Sequence, residues 1–131
     1  MPVTHKKRVQ YFNGSEQLTD TLDTVSGDGE AVFDDSIAAT VEKEVDLAFP
    51  FAKVKSVVMS STKAATVRTN ANHLGSPDDT IVIPAGGQVT WTENEAADCP
   101  FTVDVTKLYI TNDHATLAAA VKVYVLLNVT P

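Results

Sequence analysis

Residues 80–92 decide the fold class and read TIVIPAGGQVTWT. On either side of the central PAGG, every second residue is apolar, which is the period of a half-buried strand. The proline has a fixed φ and the glycines have a free one, as a tight connection requires. The alternation gives one buried face to Ile81, Ile83, Val89 and Trp91. The stretch therefore predicts two strands, 80–83 and 88–92, within an all-β domain.

The composition of the whole chain favours the same fold class. Val and Thr together make 34 of the 131 residues, and β-branched side chains suit a pleated surface because their χ1 is stiff. Turn signals separate about eight or nine short strand-like segments, which predicts an antiparallel β-sandwich or jelly roll. The length fits one domain, which we place at residues 13–131 behind an extended N-terminal arm and first strand, residues 1–12.

The C-terminal third holds the clearest strand. In residues 120–129, the side chains on one face are Val121, Val123, Val125, Leu127 and Val129, with Lys122, Tyr124 and Asn128 on the other. Residues 103–110 are also strand-like, but Val105 falls out of phase with Leu108. A bulge or break is therefore expected near Thr106.

The first half of the chain has weaker patterns. A strand is predicted at 41–49, and two further strands, at 53–61 and 64–70, are expected to pair as a hairpin. Residues 26–29, Ser-Gly-Asp-Gly, are typical of a flexible loop, and residues 34–36, Asp-Asp-Ser, of a turn or short helical piece.

The N-terminal segment differs from the rest in charge. It begins with the basic run Lys6-Lys7-Arg8, whereas residues 16–46 hold ten acids against Lys43 alone. Asn13-Gly14 is the pair preferred in a type I′ turn, so we expect a hairpin with 17–25 as the returning strand.

Charge and composition also exclude several partners. A formal net charge of −7 and a pI near 4.7 argue against nucleic acid, because phosphate binding requires a basic surface. No apolar run approaches the roughly 18 residues of a membrane-spanning helix, so no membrane partner is expected. A single cysteine, Cys99, forms no internal disulfide and suggests synthesis in a reducing cytoplasm.

No catalytic or metal-binding pattern emerges. The three histidines, His5, His73 and His114, lack the spacing of a metal site, and Cys99 lacks the flanks of a nucleophile elbow. The other candidate ligands are carboxylates, Asp78, Asp79 and Asp104, which could form a carboxylate pair or bind calcium. We favour turn capping for these aspartates, and we expect no enzyme activity, cofactor or metal.

Contact surfaces are the remaining candidates. The basic run could dock on an acidic protein surface, including residues 16–46 of a neighbouring copy. Trp91 and Tyr109 could form an aromatic platform for sugar, although a core or subunit interface explains Trp91 better. The candidate interaction residues are Lys6, Lys7, Arg8, Glu42, Glu44, Asp46, Trp91 and Tyr109.

A family resemblance rests on turn and strand residues. It is carried by residues 67–70 (VRTN), 77–81 (PDDTI), 85–86 (AG), Trp91, 100–101 (PF), 104–106 (DVT), 108–112 (LYITN) and 115–116 (AT). Over residues 54–127, the chain resembles small β-sandwich structural proteins of tailed bacteriophages, of the head decoration or cement type.

The resemblance implies a virion protein that is made in the bacterial cytoplasm and lies on the capsid surface. It further implies binding to the major capsid protein and self-association, commonly as a homotrimer. The alternative function is a carbohydrate-binding or adhesion module on a tail or fibre.

Overall fold

The structure is a computed structural model that describes residues 3–128, and it is built almost entirely of strands. Ten strands lie in that range, with one turn of 3₁₀ helix at Phe51–Lys53. They are β1 (Val3–Asn13), β2 (Glu16–Gly27), β3 (Gly29–Ile37), β4 (Glu42–Val45), β5 (Val54–Ser61), β6 (Ala65–Thr69), β7 (Thr80–Ile83), β8 (Gln88–Thr92), β9 (Leu108–Asn112) and β10 (Ala119–Leu127).

Two four-stranded antiparallel sheets form the body of the molecule. The first sheet has the order β3-β10-β5-β8 and the second has the order β4-β9-β6-β7. Between β3 and β10, the chain crosses from one sheet to the other at every connection except that between β6 and β7. This is the strand order of a jelly roll. The predicted all-β sandwich or jelly roll is confirmed.

The core lies between the two sheets. β10 is central in the first sheet, and its alternate residues Val121, Val123 and Val125 are fully buried, as the valine alternation predicted. From the second sheet, Val67 and Ile110 pack into the same cluster. The two sheets therefore bury one apolar face each, and their polar faces point outward.

One predicted hairpin and one predicted strand boundary are wrong. Strands β5 and β6 do not pair as a hairpin, because β5 belongs to the first sheet and β6 to the second. The tight connection predicted at 84–87 is present between β7 and β8, and it joins the two sheets. The strand predicted at 41–49 is shorter in the structure, where β4 spans only Glu42–Val45. Phe49 forms only an isolated bridge to Val105.

Local predictions in the acidic segment are also wrong. Residues 26–29 are not a flexible loop, because β2 runs to Gly27 and β3 begins at Gly29. A side chain at Gly27 would collide with the carbonyl oxygen of Leu127, so glycine serves close packing there. Asp34, Asp35 and Ser36 lie within β3 and form no turn.

The structure also refines the position of one predicted turn and the bounds of two predicted strands. The β1–β2 turn is centred on Gly14 and Ser15, with Gly14 at φ 63°, and not on Asn13 and Gly14. Glycine at the first central position is the type II′ preference. The strand break expected near Thr106 is present, since β9 starts only at Leu108. β10 ends at Leu127, and Val129 lies outside the described residues.

Candidate interaction surface

The N-terminal arm is one strand of a long hairpin, β1–β2, that forms a sheet of its own. Its base crosses the outer face of the first sheet, and successive contacts mark the crossing. His5 Nε2 bonds the Glu30 carboxylate on β3, and His5 Nδ1 bonds Ser56 Oγ on β5 at 2.8 Å. The two contacts lie on opposite sides of β10, the strand between β3 and β5, so the hairpin runs across the strands.

The crossing continues to the sheet edge at β8. Thr92 Oγ1 donates to Asp23, which also accepts a bond from Asn94 Nδ2 at 2.7 Å. Lys7 Nζ donates to Glu95 at 2.8 Å, just past the end of β8. The bonds from Thr92 and Asn94 outweigh desolvation and lower the pKa of Asp23. The base is thus held by polar contacts at both ends.

Beyond β8 the hairpin overhangs the sandwich. Every residue of 10–22 is exposed, and in the part of the chain that the structure describes, none of them bonds to the sandwich. We call residues 10–22 the overhang. The strand advances seven residues from Lys7 to Gly14. At roughly 3.3 Å per residue, the turn therefore lies about 23 Å beyond the contact between Lys7 and Glu95.

The overhang exposes large apolar side chains. Tyr11 is 65% exposed, Phe12 53%, Leu18 58% and Leu22 63%. Single exposed apolar residues are common on soluble proteins, but four on one projecting two-stranded element make it a candidate contact surface. None of the four was predicted as an interaction residue, because a strand pattern does not show where the sandwich ends.

The predicted basic run lies at the base of this hairpin. Lys7 faces inward to Glu95, and Arg8 forms two bonds to Asp20 on the neighbouring strand, at 3.0 and 2.8 Å. These bonds lower the pKa of Asp20 and raise that of Arg8. Among residues 3–128, Lys6 is exposed and has no ion-pair partner. The run is therefore mostly neutralised within its own chain.

The predicted acidic residues lie elsewhere, beside Tyr109 on the outer face of the second sheet. Glu44 accepts bonds from Lys107 Nζ at 2.6 Å and from Tyr109 Oη at 3.4 Å, and Lys107 also approaches Asp46. Lys107 lowers the pKa of Glu44, chiefly through its hydrogen bond. Lys107 thus neutralises part of the negative charge of Glu44 and Asp46 within the same chain.

Glu42 is the most enclosed acid on that face. Its carboxylate accepts bonds from His73 Nδ1 at 2.8 Å, Thr111 Oγ1 at 3.2 Å and Arg68 Nη1 at 3.5 Å. Sequence reasoning missed His73 and Arg68 as partners, because they lie 31 and 26 residues from Glu42.

Trp91 and Tyr109 do not form a shared platform. Trp91 is half-buried, packs against the core and donates from Nε1 to the Ala97 carbonyl at 2.8 Å. Tyr109 lies in the other sheet, on its outer face. The structure therefore brings Glu42, Glu44, Asp46 and Tyr109 to one face, and leaves Trp91 and the basic run apart from them.

The candidate catalytic and metal residues have other roles. Asp79 accepts bonds from Thr102 N and Oγ1 at 2.9 and 2.7 Å, and Asp104 accepts from Phe51 N at 2.8 Å. Both carboxylates accept bonds from the backbone of distant segments, so the prediction that they cap their own turns is wrong. Burial raises the pKa of the Cys99 thiol. Residues 3–128 contain no group of three or more His, Cys, Asp or Glu placed to hold a metal ion.

The depressions on the surface carry little chemistry. One depression, of about 540 Å³, is lined by small residues including Ser60, Thr62 and Gly87, with Lys122 as its one ionisable side chain. A second, of about 210 Å³, lies between the hairpin base and β8. No helix of the described residues is long and apolar enough to cross a membrane.

Comparisons with known proteins identify no family. No family model and no curated protein matches the chain. One solved structure, titled "Bacillus endospore appendages form a novel family of disulfide-linked pili", contains a chain with a TM-score of 0.36 and 12% identity. The match covers 82% of this chain and 98% of that one. A likeness of this size carries no argument about function.

Proposed function

We propose that this chain is a non-enzymatic structural protein of a tailed-phage virion, which binds the major capsid protein and stabilises the capsid shell from outside. The sequence resemblance over residues 54–127 suggests this class, and a jelly roll is compatible with it. Such a protein is made in the host cytoplasm and acts on the capsid surface, through contacts with the shell and with its own copies.

The overhang is the observation that carries the proposal. A two-stranded hairpin is marginally stable in water when nothing packs against it. This one also places Tyr11 and Phe12 in solvent, and aromatic side chains are the residues that dominate protein interfaces when a partner covers them. The overhang therefore has the composition and exposure of an attachment element.

A binding assay with expanded capsids tests the proposal. The wild-type protein is expected to co-sediment with capsids. The double variant Tyr11→Ser/Phe12→Ser is expected to lose most of its occupancy, because it removes apolar contact area from the overhang. Leu74→Ser is the matched control, since Leu74 is also highly exposed but lies in the loop between β6 and β7.

Three outcomes separate the possibilities. Loss of occupancy in the double variant alone supports attachment through the overhang. Equal occupancy of wild type and double variant contradicts the role of the overhang. Absence of wild-type binding to capsids, together with binding to tails, contradicts the capsid location.

A further inference from the structure

The two strands of the overhang differ in how their free edges are protected. In β2, the register shifts between the pairs Tyr11–Thr19 and Phe12–Gln17, which leaves Leu18 as an extra, bulged residue. The same strand carries Glu16 and Asp20. Bulges and charges are the devices by which proteins keep edge strands from pairing.

Within the overhang, the edge of β1 has none of these devices. Residues 9–13, Val-Gln-Tyr-Phe-Asn, contain no charge, no proline and no glycine, and are rich in residues that favour strands. The other edges are shorter or acidic: β4, β7 and β8 have four or five residues each, and β3 carries Glu30, Asp34 and Asp35. Within the described chain, residues 9–13 are the edge best suited to pairing.

We propose that two copies pair antiparallel through residues 9–13 of β1, giving a four-stranded sheet of order β2-β1-β1′-β2′. A twofold axis through the midpoint of the segment places Tyr11 opposite the partner's Tyr11 and Val9 opposite the partner's Asn13. Antiparallel pairing of identical edges is self-complementary, so it closes as a dimer. The inference rests on the proposed function only in taking the overhang as an assembly element.

Charge complementarity favours a second copy as the occupant. In this register, the turn of one hairpin lies beside the base of the other. The basic run 6–8 then lies near the partner's Glu16, which is on β2 beside that turn; within the described chain, neither Lys6 nor Glu16 has an ion-pair partner. Both residues are exposed. The uncharged segment pairs with itself at the centre, and opposite charges lie near each other at both ends.

Pairing of the edges leaves both faces of the enlarged sheet open. Backbone groups form the contact between copies, whereas the Phe12, Leu18 and Leu22 side chains stay available for the capsid shell. A third and a fourth strand also supply the support that an isolated hairpin lacks.

Disulfide trapping in solution tests the pairing and its register. In a Cys99→Ser background, Tyr11→Cys is expected to cross-link to its own copy under mild oxidation, because directly opposed β-carbons lie within reach of a disulfide. Leu22→Cys is the control: it is equally exposed but lies on β2, so that three strand spacings, about 14 Å, and six residues along the strands, about 20 Å, separate it from its counterpart in the paired sheet. It is expected to remain uncross-linked.

Two single variants then test the register. Val9→Cys and Asn13→Cys are each expected to stay uncross-linked alone and to form a mixed disulfide when combined. Native mass measurement of the unmodified protein is expected to give a dimer. A monomer, a trimer, or cross-linking through Leu22→Cys as fast as through Tyr11→Cys would overturn the proposal.

Capsid binding separates this proposal from the proposed function. A dimer that cross-links at Tyr11→Cys but does not bind capsids supports the pairing and contradicts the capsid role. A monomer that binds capsids contradicts the pairing and supports the capsid role.

Discussion

At the residue scale, Glu42 shows how this fold uses a charge. Its side chain is only 12% exposed, yet it accepts bonds from His73, Arg68 and Thr111, so it is enclosed but fully paired. Desolvation alone would raise the pKa of Glu42, but the bonds from the His73 side chain and backbone and from Thr111 outweigh it, and the pKa is lowered. The carboxylate joins β4 to the 70–79 loop.

We predict that Glu42→Gln lowers the free energy of unfolding by about 1 to 2 kcal/mol at neutral pH, since an amide turns donors toward the donors of His73 and Arg68. A lowered folded-state pKa contributes stability above the unfolded pKa, roughly 4.3 for glutamate, and this contribution is lost as the pH falls through the folded pKa. The wild-type advantage should therefore shrink on acidification below that range. Urea unfolding at several pH values measures it.

Glu44→Gln is the matched control, because Glu44 lies two residues along the same strand but is half exposed. Its effect should be smaller at every pH. An equal loss of stability in the two variants would show that the enclosure of Glu42 is unimportant.

At the element scale, the hairpin is a separate unit clamped onto the first sheet. Val25 is buried at its base, and Asp28 N donates to the Leu127 carbonyl at 3.0 Å, so the start of the crossing is tightly packed. The far end depends on the polar contacts of Asp23 and Lys7. We therefore expect the hairpin to open from β8 inward, independently of the sandwich.

The variant Thr92→Val tests this order, because valine keeps the shape of threonine but cannot donate to Asp23. Amide hydrogen exchange near Lys7 and Asp23 is expected to become roughly fivefold faster, the effect of losing one typical hydrogen bond. Exchange in β10 should not change. Thr90→Val is the control, since Thr90 lies on the same face of β8 and donates no side-chain bond within the described chain. Equal acceleration in both variants would contradict the clamp.

At the scale of the whole molecule, stability and assembly reside in different parts. Of the largest fully buried side chains, all but Leu126 belong to the core between the two jelly-roll sheets, and the overhang contributes none. The sandwich should therefore fold without the overhang.

Replacement of residues 10–20 by Asn-Gly joins Val9 to Thr21, its partner on β2, through a two-residue turn. We predict that the free energy of unfolding changes by no more than about 0.5 kcal/mol, as for surface changes in general. Met59→Ala, in the centre of the core, should instead cost about 2 to 5 kcal/mol. A large loss on shortening the hairpin would show that the overhang supports the fold.

The sequence by itself determined the fold class and most of the strands, although it missed β3 and extended β4 too far. The alternations in 80–92 and 120–127 were confirmed almost to the residue, because the period of two is a local property that depends only on which side chains face the core. The all-β class followed from the same local preferences.

Only the tertiary structure decided which strands pair and where the hairpin projects. The Pro and Gly residues at 84–87 suit a tight turn between neighbouring strands and a tight turn between two sheets equally well. The turn signal therefore could not reveal that the chain crosses between sheets there. The partners of Glu42 and Asp23 lie tens of residues away along the chain. The overhang exists because β1 and β2 are longer than the sheet they cross, and that difference in length has meaning only once the sandwich is assembled.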